Sequence, residues 1–297
     1  MIYITGGAGF IGSRLIHDLS RYHDVTSVDF IDTCNLHDDI KGINTLNPYD
    51  FIDKFEKIIE NGDQVLHQGA CSDTMNYDPN TMINLNFNYS KHLFDKCQSL
   101  KIPLIYASSA AVYGDGKKGF AEKEECENPL NLYARSKKLF DDYVRCFEDN
   151  LRAQVVGLRY FNVYGKGEDH KGRMSSTIHQ FNQQMIRGEA IKVFEGSENF
   201  LRDFISVNDV ANVVKYFLKN SEKSGIFNCG TGKSRSFMDV ANGVMKLNKR
   251  KSIEIIDFPN SLKDKYQEFT QADLNCLRAA GFEDRFLSLE EGIEKIV

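Results

Sequence analysis

The chain begins with MIYITGGAGFIG (residues 1–12), and this stretch decides its fold. The apolar run Met1–Thr5 is typical of a buried strand, glycines follow it directly, and apolar residues then recur at helical spacing through residues 11–22. In this order of strand, glycine turn and helix, backbone N–H groups can approach a pyrophosphate at the helix N-terminus. The stretch therefore predicts the α/β fold class, with a doubly wound parallel sheet of Rossmann type that binds a dinucleotide.

An acidic residue follows the glycines at the distance expected of a ribose-binding group. The next predicted strand, Val25–Val28, ends at Asp29, where a carboxylate accepts hydrogen bonds from the ribose of NAD and repels the 2′-phosphate of NADP. No Lys or Arg occurs in residues 30–39. The predicted strand Gln64–His67 runs into a Gly-Ala pair within Gln68–Ser72, which fits close approach of the backbone to a dinucleotide. These residues predict a nicotinamide cofactor and leave NAD and NADP open.

The predicted chemistry centres on Tyr133 and Lys137, at the start of a predicted amphipathic helix. Residues four apart lie on one helical face, and a nearby cation favours the phenolate, so Lys137, together with a positively charged nicotinamide, is expected to lower the pKa of Tyr133 and make it a usable base. Ser109 follows the predicted strand Ile102–Ala107, at the carboxyl end of the sheet, where it could hydrogen-bond the reacting oxygen. An ordinary helix pair and a serine that merely ends a strand are the alternatives. The joint occurrence of the three residues favours catalysis.

Composition narrows the classes of function. The chain has 297 residues, a formal net charge of -5 and no basic block, so nucleic acid is not expected as its principal partner. Its seven Cys are scattered, which disfavours a disulfide framework and a structural zinc site, and no metal is expected. His67 and Cys71 could be ligands or a nucleophile, but core packing and loop lining are favoured. The N-terminus has neither a basic segment nor a long apolar stretch, which predicts a cytoplasmic protein without a membrane span.

The second half of the chain is predicted to contribute a smaller, discontinuous substrate lobe. This lobe comprises residues 166–203 and 236–297. The dinucleotide domain comprises residues 1–165, and residues 204–235 return to it.

Two side chains of the lobe are candidates for chemistry and binding. Lys171 could be a second acid or base because the cations that flank it favour an uncharged lysine, although the residues alone favour a solvated surface lysine. The guanidinium fork of Arg202 suits a diphosphate, with a surface salt bridge to Asp203 as the alternative.

Several motifs together resemble the extended short-chain dehydrogenase/reductase family over essentially the whole chain. They are GGAGFIG (6–12), YASSAAVYG (106–114), the Tyr133/Lys137 pair and RYFNVYG (159–165). More specific stretches resemble the branch of that family that epimerises ADP-heptose. They are HQGACSDT (67–74), NPLNLYARSKKLFDDYV (128–144), HKGRMSS (170–176), FEGSENFLRDF (194–204) and YQEFTQADLNCLRAAG (266–281).

The resemblance implies an epimerase that inverts C6″ of ADP-glycero-manno-heptose, from D-glycero to L-glycero, in heptose supply for the lipopolysaccharide core. Oxidation and re-reduction by a bound nicotinamide would produce the inversion, with Tyr133 and Lys171 on opposite sides of the sugar, Ser109 polarising the carbonyl and Lys137 holding the ribose. A homo-oligomer, typically a pentamer, is implied as well. Another nucleotide-sugar epimerase or dehydratase, a net dehydrogenase and a cofactor-sensing binding protein are the alternatives.

The resemblance also implies the site residues and favours NADP, with NAD as the rival. The cofactor contacts are Gly6, Gly9, Phe10, Ile11, Gly12, Asp29, Phe30, Lys54, Gln68, Gly69, Ala70, Cys71, Ser72, Asn86, Tyr133, Lys137, Val163 and Lys171. The substrate contacts are Ser72, Asn162, Arg173, Gln180, Phe194, Glu195, Gly196, Ser197, Arg202 and Tyr266.

The chain departs from the pattern of the family at a few positions. Lys166-Gly167 stands where Pro-Arg is expected, Arg173 replaces a Ser, and Gln180 replaces a substrate-contacting His. These changes lie in the substrate segment, so they bear on the identity of the sugar more than on the type of reaction. In the cofactor segment, Phe30 replaces an Asn, whereas Lys54 aligns with the family.

Overall fold

The computed structural model describes residues 1–30, 42–249, 252–258 and 267–296. Its strands are β1 (Ile2–Thr5), β2 (Val25–Val28), β3 (Thr45–Leu46), β4 (Gln64–His67), β5 (Leu104–Ser109), β6 (Val155–Tyr160), β7 (Asn162–Tyr164), β8 (Ile191–Phe194), β9 (Leu201–Ser206), β10 (Gly225–Cys229), β11 (Ser234–Ser236) and β12 (Ile253–Ile256).

The helices alternate with these strands. The α-helices are α1 (Phe10–Leu19), α2 (Pro48–Asp53), α3 (Phe55–Ile58), α4 (Pro79–Thr81), α5 (Tyr89–Leu100), α6 (Leu132–Arg145), α7 (Thr177–Ile186), α8 (Val207–Lys219), α9 (Phe237–Asn248), α10 (Asn275–Ala279) and α11 (Leu289–Glu294). A π-helix, Met82–Asn88, joins α4 to α5. Short 3₁₀ helices span Ala110–Tyr113, Glu124–Cys126, Glu148–Asn150 and Asp169–Met174.

The chain divides into two compact units. The first contains the described residues of Met1–Val112, Pro129–Arg159 and Ala211–Phe227. The second contains the described residues within Tyr113–Asn128, Tyr160–Val210 and Asn228–Val297. Within the described residues, no helix is both long and apolar enough to cross a membrane.

The first unit is built on a seven-stranded sheet with the order β10-β6-β5-β4-β1-β2-β3. Strand β1 pairs in parallel with β2 on one side and with β4 on the other. The chain thus winds outwards in both directions from β1, which confirms the predicted doubly wound fold. In such sheets the ligand crevice lies at the carboxyl ends of the strands where the order reverses, here β1 and β4.

Burial on both faces explains why the strands of this sheet read as apolar runs. Ile4, Val65 and Leu66 are wholly buried, and α1 packs the buried side chains of Leu15 and Ile16 on the sheet. The core of the first unit also contains an aromatic group of Tyr3, Phe51, Phe55, Phe94, Tyr106 and Phe140.

The second unit contains two small sheets. One has the order β11-β9-β7, with β9 antiparallel to β11 and parallel to β7, and the other pairs β8 with β12 in parallel. Helices α7 and α9 contribute Ile178, Met185, Val240 and Val244 to a separate apolar core. Each unit therefore has a core of its own.

Candidate active site

The turn after β1 touches the turn after β4 because both contain glycine. Gly6 has φ +67°, and a Cβ on it would lie 2.7 Å from the Cα of Gly69. A Cβ on Gly12, in the first turn of α1, would lie 2.0 Å from the carbonyl oxygen of Gly6. Side chains at these positions would force the turns apart, so the glycines create a compact backbone cradle at the switch point of the sheet.

The residues around this cradle suit a dinucleotide. Helix α1 begins at Phe10 after Gly9, and its first turn holds no acidic residue that would oppose an anion. At the end of β2, Oδ2 of Asp29 accepts a hydrogen bond of 3.0 Å from the backbone N–H of Ala8. Backbone donors for a pyrophosphate and a carboxylate for a ribose therefore occur together, and the residues present fit a nicotinamide dinucleotide.

Phe30 and Lys54, which are predicted to contact the cofactor, have local partners. The Phe30 ring is 56% exposed, and its centroid lies 5.4 Å from that of Tyr49. Lys54 follows α2, and its Nζ lies 3.4 Å from a carboxylate oxygen of Asp50, with both side chains exposed. An exposed pair of this kind contributes little stability, so Lys54 can change partners at small cost.

The loop after β4, which contains the predicted contacts Gln68 to Ser72, is fixed by Asn86. Oδ1 of Asn86 accepts from the backbone N–H of Cys71 at 2.8 Å, and its Nδ2 donates to the Cys71 carbonyl at 3.0 Å and to the Ser136 hydroxyl at 2.9 Å. Asn86 lies in the π-helix, a conformation frequent at functional sites. The loop after β4 is thereby tied to helix α6.

The structure brings Tyr133, Ser109 and Lys137 together at the start of α6. Asn131 caps this helix by accepting from the backbone N–H of Ala134 at 2.8 Å. The Ser109 side chain lies close enough to the Tyr133 hydroxyl to act on its pKa, and Nζ of Lys137 donates to the carbonyl oxygen of Ala107 at 2.8 Å. The three side chains that the sequence singled out therefore converge beside the carboxyl end of β5.

The electrostatics differ from the sequence-based expectation. Burial raises the pKa of Tyr133, although the Ser109 side chain acts in the opposite direction, so Lys137 alone does not hold this pKa low. Lys137 is itself only 6% exposed, and burial lowers its pKa to about 8. In both groups the effect of burial on the pKa outweighs the influences that oppose it.

His67 is a core residue, as the sequence favoured. Its ring lies between the Thr5 hydroxyl, 2.6 Å from Nδ1, and the Ser90 hydroxyl, 2.7 Å from Nε2. Burial lowers the pKa of His67 to about 3, so the ring is neutral. It serves to join β1, β4 and the helix that follows the π-helix.

In the second unit, Lys171 is anchored by a buried carboxylate. Glu168 has no exposed surface, and its Oε2 lies 2.9 Å from Nζ of Lys171. The same carboxylate accepts from the Gly165 N–H at 3.1 Å and from the N–H and hydroxyl of Ser176 at 2.6 and 2.7 Å. The Lys171 side chain is only 22% exposed and is held 2.9 Å from the Glu168 carboxylate, so the alternative of a solvated surface lysine is wrong.

Other predicted substrate residues of this unit lie on short, braced segments. Asn162, a predicted substrate contact, belongs to β7, as does Val163, a predicted cofactor contact. The side-chain amide of Gln180, on α7, donates to the carbonyl of Ser175 at 2.8 Å and to that of Arg173 at 3.4 Å. Helix α7 therefore supports the backbone of the segment that follows Lys171.

The predicted turn Glu195–Ser197 follows β8. The Phe194 ring packs on Phe258 with a centroid distance of 5.3 Å, and Gly196 turns the chain with φ +79°. The hydroxyl of Ser197 is buried and finds no hydrogen-bond partner among the described residues. A buried polar atom of this kind is uncommon in a native structure and marks the turn as a candidate for ligand contact.

Arg202 does not form the alternative salt bridge with Asp203. Successive residues of β9 point to opposite faces, and the Asp203 carboxylate accepts from backbone N–H groups of Thr231, Gly232 and Ala272. The guanidinium of Arg202 donates to the carbonyls of Leu201 and Gln267 and lies 5.5 Å from the centroid of the Phe237 ring. Its plane is thus fixed. Tyr266, also predicted to contact substrate, lies outside the described residues.

Two charged residues next to the predicted chemistry were missed by the sequence reasoning. Glu168 precedes Lys171 by three residues, and Asp141 follows Lys137 by four, so both spacings place the pairs on one side of a helical turn. Extending the Tyr-Lys spacing by one more step would have found Asp141. No sequence pattern predicts that backbone N–H groups donate hydrogen bonds to Glu168.

Comparison with known proteins covers nearly the whole chain. The profile of the NAD dependent epimerase/dehydratase family matches residues 2–230. A protein of Brachyspira hyodysenteriae named ADP-L-glycero-D-manno-heptose-6-epimerase is 47% identical over 308 residues, which cover 99% of this chain and 96% of that protein.

Solved structures give the same picture. The ADP-L-glycero-D-manno-heptose-6-epimerase of Helicobacter pylori matches with a TM-score of 0.86 at 30% identity, over 99% of this chain and 94% of that one. The UDP-glucose 4-epimerase of Thermus thermophilus, solved with NAD, matches with a TM-score of 0.82 at 26% identity, over 99% and 97%. All of these relatives bear the names of epimerases.

Proposed function

The chain belongs to the NAD dependent epimerase/dehydratase family, and from this premise we propose that it inverts C6″ of ADP-glycero-manno-heptose, from D-glycero to L-glycero. The relative that is 47% identical over 99% of the chain bears the name of this activity, which supports the choice of substrate. The observation that carries the reaction type is the convergence of Ser109, Tyr133 and buried Lys137 beside the dinucleotide cradle of the first unit. The product would supply heptose for the lipopolysaccharide core.

The nicotinamide cofactor, when bound, supplies reversible hydride transfer at C6″. The residues of the chain move the proton and hold the oxygen: the Tyr133 hydroxyl exchanges a proton with the C6″ oxygen, and Ser109 donates a hydrogen bond to that oxygen while it is a carbonyl. The hydride would return to the opposite face of C6″ and a proton would return to its oxygen, so that the configuration changes and no cofactor is consumed.

Tyr133 needs a further positive charge to act as a base near neutral pH. Burial raises its pKa, and Lys137 does not offset this. The oxidised nicotinamide carries a positive charge, and a fixed cation beside a phenol favours the phenolate. We therefore propose that Lys137 holds the ribose and that Tyr133 transfers its proton only when the oxidised cofactor is bound.

We assign the second acid or base to Lys171. Its half-buried ammonium is held by Glu168, so the side chain has a defined position rather than a mobile one. Arg202 is proposed as the diphosphate contact, since its guanidinium plane is fixed by two carbonyls and by Phe237. The remaining substrate and cofactor contacts implied by the sequence are part of the same proposal.

For the nucleotide we propose NADP, with Lys54 as the contact of the 2′-phosphate. The resemblance supports this choice, whereas Asp29 and the lack of Lys and Arg in residues 30–39 favour NAD. Denaturing the purified protein and identifying the released nucleotide by mass spectrometry separates the two. Release of NAD alone would remove Lys54 from the proposed site.

Proton NMR of the purified protein with ADP-D-glycero-β-D-manno-heptose, without added cofactor, tests the proposed function. Appearance of the L-glycero epimer without net reduced cofactor is the expected result. No change in the sugar, with nucleotide shown to be bound, would transfer the assignment to another nucleotide-sugar epimerase or dehydratase. Reduced cofactor that accumulates with turnover would indicate a net dehydrogenase. The homo-oligomer and the cytoplasmic location stay predictions from the sequence.

A further inference from the structure

Helix α6 contacts strand β5 at successive levels. Tyr133, Lys137 and Asp141 follow one another at intervals of four residues, so they lie on one face of the helix. Tyr133 lies beside Ser109, which acts on its pKa, and Lys137 donates to the carbonyl of Ala107. Asp141, which is wholly buried, forms the third level.

Asp141 is a wholly buried carboxylate with donors on two strands. From β5 it accepts the Tyr106 hydroxyl at 3.0 Å and the Ser108 hydroxyl at 2.9 Å. From β6 it meets Arg159, which is also fully buried, with Nε at 3.0 Å and Nη2 at 2.9 Å. Tyr106 and Ser108 flank the residue whose carbonyl receives the Lys137 ammonium, so one carboxylate fixes the strand on both sides of that carbonyl.

We propose that Asp141 is a positioning residue for the reaction: by fixing β5 against α6, it holds Lys137 and Ser109 in place. A buried ion pair contributes little net stability compared with apolar side chains of similar volume, which makes a purely stabilising role for Asp141 and Arg159 a poor explanation of their burial. The inference rests on the proposed function for its catalytic meaning.

The charge of Asp141 also acts on Lys137. Burial lowers the pKa of Lys137 to about 8, and the negative charge of Asp141 is the first influence that opposes this change. Without that charge, Lys137 would lose its proton at a lower pH. Replacing Asp141 by a neutral residue therefore has two separate consequences, a loosened strand and an earlier deprotonation of the lysine.

The decisive variant is Asp141→Asn, with Asp142→Asn as its matched control. Asp142 is the next residue of α6, and its more exposed carboxylate pairs with Lys138 and Arg145. We expect Asp141→Asn to lower kcat about 10- to 100-fold, as small misplacements of catalytic groups do, and to move the alkaline limb of the pH profile to lower pH. The control should keep both kcat and the pH profile. Equal values for the two variants would overturn the proposal.

Two further variants separate the strand contact from the charge. Ser108→Ala combined with Tyr106→Phe removes both hydroxyls but keeps the ion pair, so kcat should fall while the alkaline limb stays in place. If Asp141→Asn does not fold, Asp141→Asn combined with Arg159→Met removes the unpaired buried charge. This double variant should show the loss of kcat together with the shifted limb, and wild-type values in it would contradict the inference.

NMR titration of ε-¹³C-labelled lysine gives a readout that needs no substrate. The Lys137 signal, identified by its absence in Lys137→Met, should titrate at lower pH in Asp141→Asn than in the wild type or in Asp142→Asn. An unchanged midpoint would refute the effect of the charge. Failure of the wild type to act on ADP-heptose would instead refute the proposed substrate and leave this measurement intact.

Discussion

Lys137 in the first unit and Lys171 in the second are both assigned to one reaction, yet their surroundings are opposite. Lys137 is almost fully buried, donates to a neutral carbonyl and has its pKa lowered to about 8. Lys171 keeps part of its surface exposed and contacts the buried carboxylate of Glu168 at 2.9 Å. Burial thus sets the pH at which Lys137 loses its proton, whereas the opposite charge of Glu168 fixes the position of Lys171. The two lysines should respond differently to mutation.

The largest effect is expected for Lys137→Met. Loss of this ammonium removes the ribose contact that holds the cofactor beside Tyr133, so kcat should fall by about 10³-fold and the protein should retain less nucleotide on purification. Steady-state kinetics and the nucleotide content of the purified protein measure the two effects. Lys138→Met, which changes the neighbouring lysine that pairs with Asp142, is the control. Unchanged nucleotide content in Lys137→Met would separate Lys137 from the ribose.

Lys171→Met should lower kcat by at least ~100-fold, with nucleotide content unchanged, because an acid or base is lost and the cradle is not. Tyr133→Phe should behave in the same way. The exposed Lys166, in the same segment as Lys171, provides the control Lys166→Met. Near-normal turnover of Lys171→Met would remove the two-base scheme and the contrast between the lysines.

A smaller effect is expected for Glu168→Gln. The amide keeps the size of the side chain but removes the counter-charge of Lys171, and it places an NH₂ group against the donors of Gly165 and Ser176. Misplacement of Lys171 should lower kcat about tenfold while KM changes less. Glu189→Gln, at an exposed pair with Arg187, is the control. A kcat equal to that of the control would show that Glu168 does not orient Lys171.

The smallest expected effect is on stability. Lys137 loses its proton at about pH 8 in the folded chain, whereas an ordinary lysine does so near ~10.4. Between these values the unfolded chain binds more protons, so the free energy of unfolding should rise with pH, by up to about 1 kcal/mol per pH unit. Urea unfolding at pH 8 and pH 9 measures this rise. It should be absent in Lys137→Met, and its presence there would assign it to another group.

The sequence predicted the parts of the molecule that local pattern determines. The strand, glycine turn and helix of residues 1–19 were confirmed. The strands β7 and β11 were missed because each has only three residues, too few to show a periodic pattern. They are stabilised by pairing with β9. The pattern of residues 270–280 also predicts a helix, but the structure has a shorter one, Asn275–Ala279.

Tertiary hydrogen bonds explain that shorter helix. The Thr270 hydroxyl and the backbone N–H of Ala272 both bind Asp203, so this part of the chain is held in an extended path. The candidate site shows the same limit. Spacing predicted the approach of Tyr133 and Lys137, but the rise in the pKa of Tyr133 comes from burial by the fold, which no local pattern reports.

The π-helix Met82–Asn88 makes the chain sensitive to length in a way that its chemistry alone would not suggest. An α-helix advances by about 100° per residue, so removing one residue from this segment would allow an ordinary α-helix at the cost of turning everything before it relative to α5. The side chain at position 86 would then face away from the backbone of Cys71. In this segment, single-residue deletions should be tolerated less well than most substitutions. Natural or designed variants should therefore keep the length of the π-helix even where its residues differ.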